Sequence, residues 1–197
     1  MTEKFSFGGE IVWKPTPEHI ERANLTAFMR QHGIEDFDEL MRRSISDVAW
    51  FTDAVFKFLD IQFHEPYTDV VDLSEGIQFS KWCVNGKMNI VHNCVDKWVG
   101  TGFTPVQLAP ARKAIVFEGE EGITKTLTYN ELNKEVNKTA NALRSLGLGK
   151  SDAIGIFMPM TPEIVIALLA IAKIGGIILP LFSGYGAGAI VSRMVDA

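Results

Sequence analysis

The sequence predicts an α/β protein: part of a doubly wound parallel sheet built on a βαβ unit, preceded by a helical N-terminal extension. Three observations carry this. Asp152–Met158 and Ile177–Phe182 are short apolar runs on either side of a helical stretch; Ala114–Thr128 reads as a hairpin leading into a capped helix; and residues 16–59 carry apolar and aromatic residues at helical steps.

Residues 1 to about 15 read as a poorly ordered lead-in containing Trp13 and Pro15. Thr16-Pro17-Glu18 starts a helix whose inner face holds Ile20, Ala23, Ala27 and Phe28, with Gly33 as its stop. Asp36 and Glu39 cap a short helix over Leu40 and Met41. Ser46 is read as the cap of a third helix, in which Val48, Phe51, Val55, Phe58 and Leu59 form one face and Trp50 and Phe56 add further rings. These rings are read as filling a small helical layer. Pro66 closes the helical part, Asp69–Gly76 is irregular, and Ile77–Cys83 is an extended segment. Asn85-Gly86 marks a turn, and Met88–Val99 reads as a helix with Ile90, Cys94, Val95 and Trp98 inward.

The division expected is residues 1–99 as the helical extension, 100–110 as a linker rich in Gly and Pro, and 111–197 as the beginning of an α/β domain. Within the last part, Gly119-Glu120-Glu121-Gly122 turns Ala114–Glu118 back into Ile123–Thr128. Thr128 and Glu131 form a capping box, and Leu132, Val136, Ala140, Leu143 and Leu146 make a single apolar stripe ended by Gly147 and Gly149. Thr161-Pro162-Glu163 then supplies an N-cap hydroxyl, a proline at the first helical position and an acid facing the positive dipole end. From Ile164 to Ile174 only Lys173 is polar, so this helix lacks a wet face and should be buried. Two strands buried on both faces around such a crossover form a parallel βαβ unit. After Phe182 comes the glycine-rich Ser183–Gly188, then an apolar stretch that opens a new helix. Ligands bearing phosphate bind between a strand end and a helix start of this kind.

Composition narrows the function classes. A net charge of −5 and no basic cluster argue against nucleic acid or anionic lipid as partner. No uninterrupted apolar run reaches the roughly 20 residues that span a bilayer, so no membrane segment is expected. Two cysteines and a start without an apolar h-region suit a cytoplasmic protein. His92, Cys94 and Cys83 fall short of the close-spaced pairs of a zinc site, so no metal ligand is assigned. No Gly-x-Ser-x-Gly elbow occurs, and acids such as Glu120-Glu121 sit in turns, so no catalytic residue is assigned either. Gly184-x-Gly186-x-Gly188 has its third glycine one position too early for a dinucleotide fingerprint. It reads equally as a bend needing positive φ or as a bend that also contacts an anion.

From about Ile77 onward the chain resembles the beginning of an AMP-forming acetyl-CoA synthetase, within the adenylate-forming acyl-CoA ligases. The resemblance is carried by Ser80-Lys81-Trp82 with Gly86-Lys87-Met88-Asn89, by Asn93-Cys94-Val95-Asp96, and by Thr126-Leu127-Thr128-Tyr129-Asn130-Glu131-Leu132. Met158-Pro159-Met160-Thr161-Pro162-Glu163 and Leu181-Phe182-Ser183-Gly184-Tyr185 complete the set, in family order. The earlier helical part resembles, more loosely, the N-terminal extension of the same ligases. The resemblance implies a whole enzyme that uses ATP and Mg²⁺ to activate a small carboxylate as an acyl-adenylate and then transfers the acyl group to CoA. It also implies that Phe182, Ser183 and Gly184 lie against the nucleotide end of CoA, with Ser183 standing where a glycine is usual.

The 197 residues contain no Thr-Ser-Gly-Thr-Thr-Gly-type triphosphate loop, acyl-pocket motif or catalytic lysine lid. They stop inside a helix, well before the middle of such an enzyme, so the chain alone is expected to be inactive. Two other readings stay beside this one. One is a Rossmann-like dinucleotide-binding module using Gly184–Gly188. The other is an interaction module that completes its sheet with another chain, as in a homo-oligomer joined through an open sheet edge.

Overall fold

The structure is a computed structural model that describes residues 11–99 and 112–197. The first ten residues of the lead-in and the whole of the linker stretch, 100–110, lie outside the described residues. By internal contacts the chain divides into two compact units: one running to Ile61 and including Asp69–Val84, the other made of Gln62–Thr68 with Asn85–Ala197.

The first unit is helical. The helix expected over residues 16–33 is two helices, α1 (Pro17–Glu21) and α2 (Asn24–Gln31), broken at Arg22-Ala23. Thr16 caps α1, with His19 playing the part that Glu plays in a usual capping box. The Arg30 guanidinium reaches both Glu21 carboxylate oxygens at 2.6 and 2.5 Å and clamps α2 to α1. Because the axis breaks, Phe28 is buried while Ile20 and Ala27 stay exposed. In α3 (Phe37–Ser46), the Asp36 carboxylate accepts from the Glu39 amide at 2.7 Å, as the sequence implies. The cap of α4 (Val48–Phe58) is Asp47, which accepts from the Trp50 amide at 2.9 Å. Ser46 is the last residue of α3, its hydroxyl donating back to the Arg43 carbonyl at 3.1 Å, and the capping position falls one residue later at Asp47.

Phe28, Ile34, Leu40 and Ala54 form the core of this unit, with Trp50, Phe51 and Phe58 packed against it. Phe28 meets Phe51 and Phe58 edge-on, at 6.0 and 5.4 Å between ring centroids. The Arg43 guanidinium lies 3.7 Å from the Trp50 ring centroid. The rings do fill a small helical layer. Asp69–Gly76, expected to be irregular, contains strand β1 (Asp69–Asp72), which pairs antiparallel with β2 (Lys81–Val84). The segment expected to be extended from Ile77 instead opens with a 3₁₀ turn over Ile77–Phe79.

In the second unit, residues 88–99 do not make one helix. α5 (Ile90–Cys94) ends where Val95 adopts φ −132°, ψ −60°, and a 3₁₀ turn follows over Asp96–Trp98. This break turns Val91, Asn93 and Val95 inward and leaves Ile90 and Cys94 exposed. β3 (Lys113–Glu118) and β4 (Thr124–Thr128) form the expected antiparallel hairpin. The Thr128–Glu131 capping box opens α6 (Tyr129–Ser145), whose Leu132, Val136 and Ala140 are buried. Leu146, assigned to the same stripe, lies past the helix end and is 76% exposed.

β5 (Ala153–Ile156), α7 (Pro162–Ile174) and β6 (Ile177–Pro180) form the βαβ unit, with β5 and β6 parallel and paired from Ala153↔Ile177 to Ile156↔Pro180. Gly175 ends α7 in the left-handed conformation at φ 79°. Ala170, Ile171 and Ile174 are buried, but Val165 and Leu168 are 37% and 40% exposed. The buried helix predicted from composition is therefore covered on one side only: α5, α6 and the two strands pack against it, and its remaining face is open. α8 (Ala187–Asp196) follows β6.

A polar network holds residues 85–99 to α6 and α7. The Asn89 amide donates to the carbonyls of Ala172 and Lys173, both at 3.1 Å, while its oxygen caps α5 by accepting from the Val91 amide. Asp96 pairs with the Lys173 ammonium at 2.7 Å and accepts from the Asn133 amide at 2.8 Å.

Candidate functional site

The site of interest is the edge where β5 and β6 end. The Leu181 amide donates to the Ile156 carbonyl at 2.8 Å, carrying the ladder one step past β6, and Leu181 is buried. The next residue, Phe182, is 67% exposed. The Tyr185 amide donates to the Phe182 carbonyl at 2.9 Å, which closes a four-residue turn with Ser183 and Gly184 at its centre. Phe182, Ser183 and Gly184 are thus brought to the surface together at the carboxyl end of a parallel strand, just before a helix.

None of Gly184, Gly186 and Gly188 has positive φ, so the bend does not need glycine for a left-handed conformation, contrary to one sequence expectation. Gly184 serves another purpose: a Cβ there would lie 2.7 Å from the Phe182 ring. Glycine lets that ring fold over the turn, where it meets Tyr185 edge-on at 5.6 Å. The Arg193 guanidinium sits 4.2 Å from the centre of the Tyr185 ring and donates to the Ala189 carbonyl at 2.9 Å. Arg193 was not singled out from the sequence, and Tyr185 was read only as the end of a matched block, with no role given to its ring. Their only signal is that eight residues bring a turn residue and the last turn of a following helix to one side.

The two strand-to-helix turns on this edge differ electrostatically. At α7, Glu163 stands in the first turn; the Lys125 ammonium, 2.5 Å away, and the Thr161 hydroxyl hold its carboxyl down to about 2. The positive end of α7 thus already carries an anion. At α8 the N-cap is Gly186 with no side-chain capping bond, and Ala187, Gly188 and Ala189 add no charged group. An anionic ligand therefore meets less opposition at α8.

His92, Cys94 and Cys83, weighed together from the sequence, are not brought together as a three-residue ligand set. Burial pushes the Cys83 thiol up, away from the thiolate a metal needs. Among the described residues no group of three or more His, Cys, Asp or Glu is placed to hold a metal ion. Among them also, no helix is long and apolar enough to cross a membrane.

Comparison with known proteins agrees with this architecture. Residues 37–94 match the family described as acetyl-coenzyme A synthetase N-terminus, and residues 104–197 match the AMP-binding enzyme family. The acetyl-coenzyme A synthetase of Mycobacterium tuberculosis is 38% identical over 185 residues, which is 93% of this chain and 25% of that protein. The 3-hydroxypropionyl-coenzyme A synthetase of Sulfurisphaera tokodaii is 40% identical over 158 residues, 80% of this chain and 23% of that protein. The solved acetoacetyl-CoA synthetase from Streptomyces lividans superposes with a TM-score of 0.80 at 25% identity, covering 95% of this chain and 29% of the other. The chain spans about a quarter of the length of the curated relatives it matches. With an N-terminal-type segment and an AMP-binding segment in that order, the chain belongs to the adenylate-forming acyl-CoA synthetases and corresponds to their N-terminal portion.

Proposed function

We propose that the chain provides the N-terminal portion of a short-chain acyl-CoA synthetase. The whole protein joins a small carboxylate to ATP, with Mg²⁺ neutralising phosphate charge, to give acyl-adenylate and pyrophosphate; the CoA thiol then displaces AMP. In this reading residues 1–99 are an extension, 100–110 a linker and 111–197 the start of the nucleotide-binding domain. Phe182, Ser183 and Gly184 form part of the wall against which the nucleotide end of CoA lies, and the setting is cytoplasmic. These 197 residues contain no Ser/Thr/Gly-rich triphosphate loop, so they do not form acyl-adenylate by themselves.

The observation that carries the proposal is the contrast between the two helix starts: Glu163 blocks anions at α7, whereas the exposed Phe182–Gly184 turn leads to an uncharged first turn of α8. Two measurements test it. The chain alone gives no ATP–pyrophosphate exchange with acetate or propionate, and titration of the isotope-labelled chain with CoA moves the amides of Phe182–Gly188 before others. Detectable exchange, or CoA shifts clustered elsewhere, refutes the assignment.

A second reading, self-association through a sheet edge, draws on one feature: among the described residues β5 and β6 make a two-stranded sheet. The Ile177 and Leu181 amides point to β5, so by alternation those of Ile178 and Pro180 face the other way, and Pro180 has no N–H to offer there. A sedimenting dimer that Ile178→Pro dissociates supports this reading; a monomer at all concentrations removes it.

A further inference from the structure

A pair of imidazoles in the second unit is built in a way the synthetase reading does not use. Gln62 is held at both main-chain groups by Asn93: its amide donates to Asn93 Oδ1 at 2.8 Å, and Asn93 Nδ2 donates to its carbonyl at 2.9 Å. Asn93 is the one buried polar residue among the described residues, at 6% exposure. The Gln62 side-chain oxygen in turn lies 2.9 Å from His92 Nε2. An amide oxygen can only accept, so the proton sits on Nε2 and the lone pair on Nδ1. The bond to Gln62 favours the tautomer that keeps the Nδ1 lone pair for a metal, as in a metal-ligating histidine whose second nitrogen donates to an oxygen.

The ring facing it is His64, with 5.5 Å between centroids and 49° between planes. The His64 main chain is anchored separately: its amide donates to the Lys87 carbonyl at 2.7 Å, beside the antiparallel bridge between Glu65 and Lys87. Gln62, Phe63, His64 and His92 line a hollow of about 300 Å³. A metal–nitrogen bond of about 2.05 Å plus about 1.2 Å to the ring centre puts a metal roughly 3.2 Å from each centroid. Two such arms at a tetrahedral angle separate the centroids by about 5.3 Å, close to the separation found.

We propose that His64 and His92 form a two-imidazole site for a divalent cation of the class that prefers nitrogen ligands, with Zn²⁺ as the representative, Gln62 orienting His92 and water completing the coordination. The site is outside the Phe182–Gly184 turn and does not depend on the function proposed for it. Calorimetry of the 197-residue chain with Zn²⁺ gives one site per chain. His64→Ala and His92→Ala each weaken it at least tenfold, Gln62→Ala weakens it about tenfold, and Cys94→Ser leaves it unchanged. In the wild-type chain, substoichiometric Zn²⁺ shifts the imidazole resonances of His64 and His92 and spares those of His19 and His32. That readout needs no variant to fold. Absence of binding, wild-type affinity in either histidine variant, loss of the site in Cys94→Ser, or equal perturbation of all four histidines overturns the proposal.

Discussion

Val136→Ala and Leu146→Ala separate the apolar stripe of α6 into its working and idle parts. Val136 is fully buried, packed with Val91, Val95 and Leu132. Removing two methyl groups forfeits about 1.6 kcal/mol of transfer free energy at about 0.8 kcal/mol per carbon. A residual void of roughly 40 Å³ adds about 1 kcal/mol at about 24 cal/mol per Å³. The better helix propensity of alanine returns about 0.5 kcal/mol, leaving a cost of about 2 kcal/mol. Leu146, past the helix end and mostly exposed, costs under about 0.5 kcal/mol when truncated. In urea unfolding followed by circular dichroism, an m-value of about 2 kcal/mol per M makes the first change a fall of about 1 M in midpoint and the second nearly invisible. Equal shifts for the two variants would refute the packing described for α6.

Three further outcomes follow from the same geometry. Glu163 has its carboxyl lowered from the ordinary 4.5 to about 2, so its contribution to stability is complete above about pH 4.5 and fades as pH falls toward 2. Both partners are about half exposed, which limits the effect to under about 1 kcal/mol; Glu163→Gln should be less stable than wild type at pH 6 and equal to it near pH 2, and a gap that widens on acidification contradicts this. Asp96→Ala leaves Lys173 and Asn133 without their shared acceptor in a mostly buried setting and costs about 2 kcal/mol in thermal or urea unfolding, whereas a neutral result would show the network to be ornamental. Ser183→Gly, on the exposed turn, leaves stability within about 0.5 kcal/mol and strengthens CoA binding in a full-length synthetase carrying this turn; weaker binding there removes Ser183 from the CoA wall.

Elements fixed by local chemistry were legible in the sequence. The Thr128–Glu131 box, the Asp36 cap and the Pro162 helix start need only residues within one turn and stand where they were read, but Thr161, though at the N-cap, makes no side-chain capping bond; its hydroxyl bonds the Glu163 carboxylate instead. Strand β1 was not legible, because Val70-Val71 between two aspartates is too short to show alternation and becomes a strand only through its pairing with β2. The inward face of α5 was misjudged for a similar reason. Val95 is buried as read, but Ile90 and Cys94, the obvious apolar candidates, are exposed; the other groups turned inward are Val91 and Asn93, and Asn93 finds its partner in Gln62, 31 residues away. At the candidate site, glycine spacing located the turn correctly and misattributed its cause. The constraint is the Phe182 ring lying over Gly184, a contact invisible to any rule about φ.

The two helix starts also show why a glycine pattern alone is a poor guide to anion contact. The turn after β5 has all the sequence marks of a strong helix start, Thr-Pro-Glu, and those marks disqualify it: its acid occupies the positive end of α7 and is itself held by Lys125. Neither start has a side-chain capping bond, but the turn after β6 also has a glycine cap and no acid in the first turn of its helix. A glycine-capped helix start at the carboxyl edge of a parallel sheet, beside an exposed aromatic ring, gives up stability that a capping serine would restore by roughly 0.3 kcal/mol. Gly186→Ser therefore distinguishes two accounts of the turn. If the start of α8 is open because a ligand oxygen takes the place of the cap, the variant is more stable yet binds CoA less tightly in the full-length enzyme. If the turn is only a bend, stability rises and CoA affinity does not move.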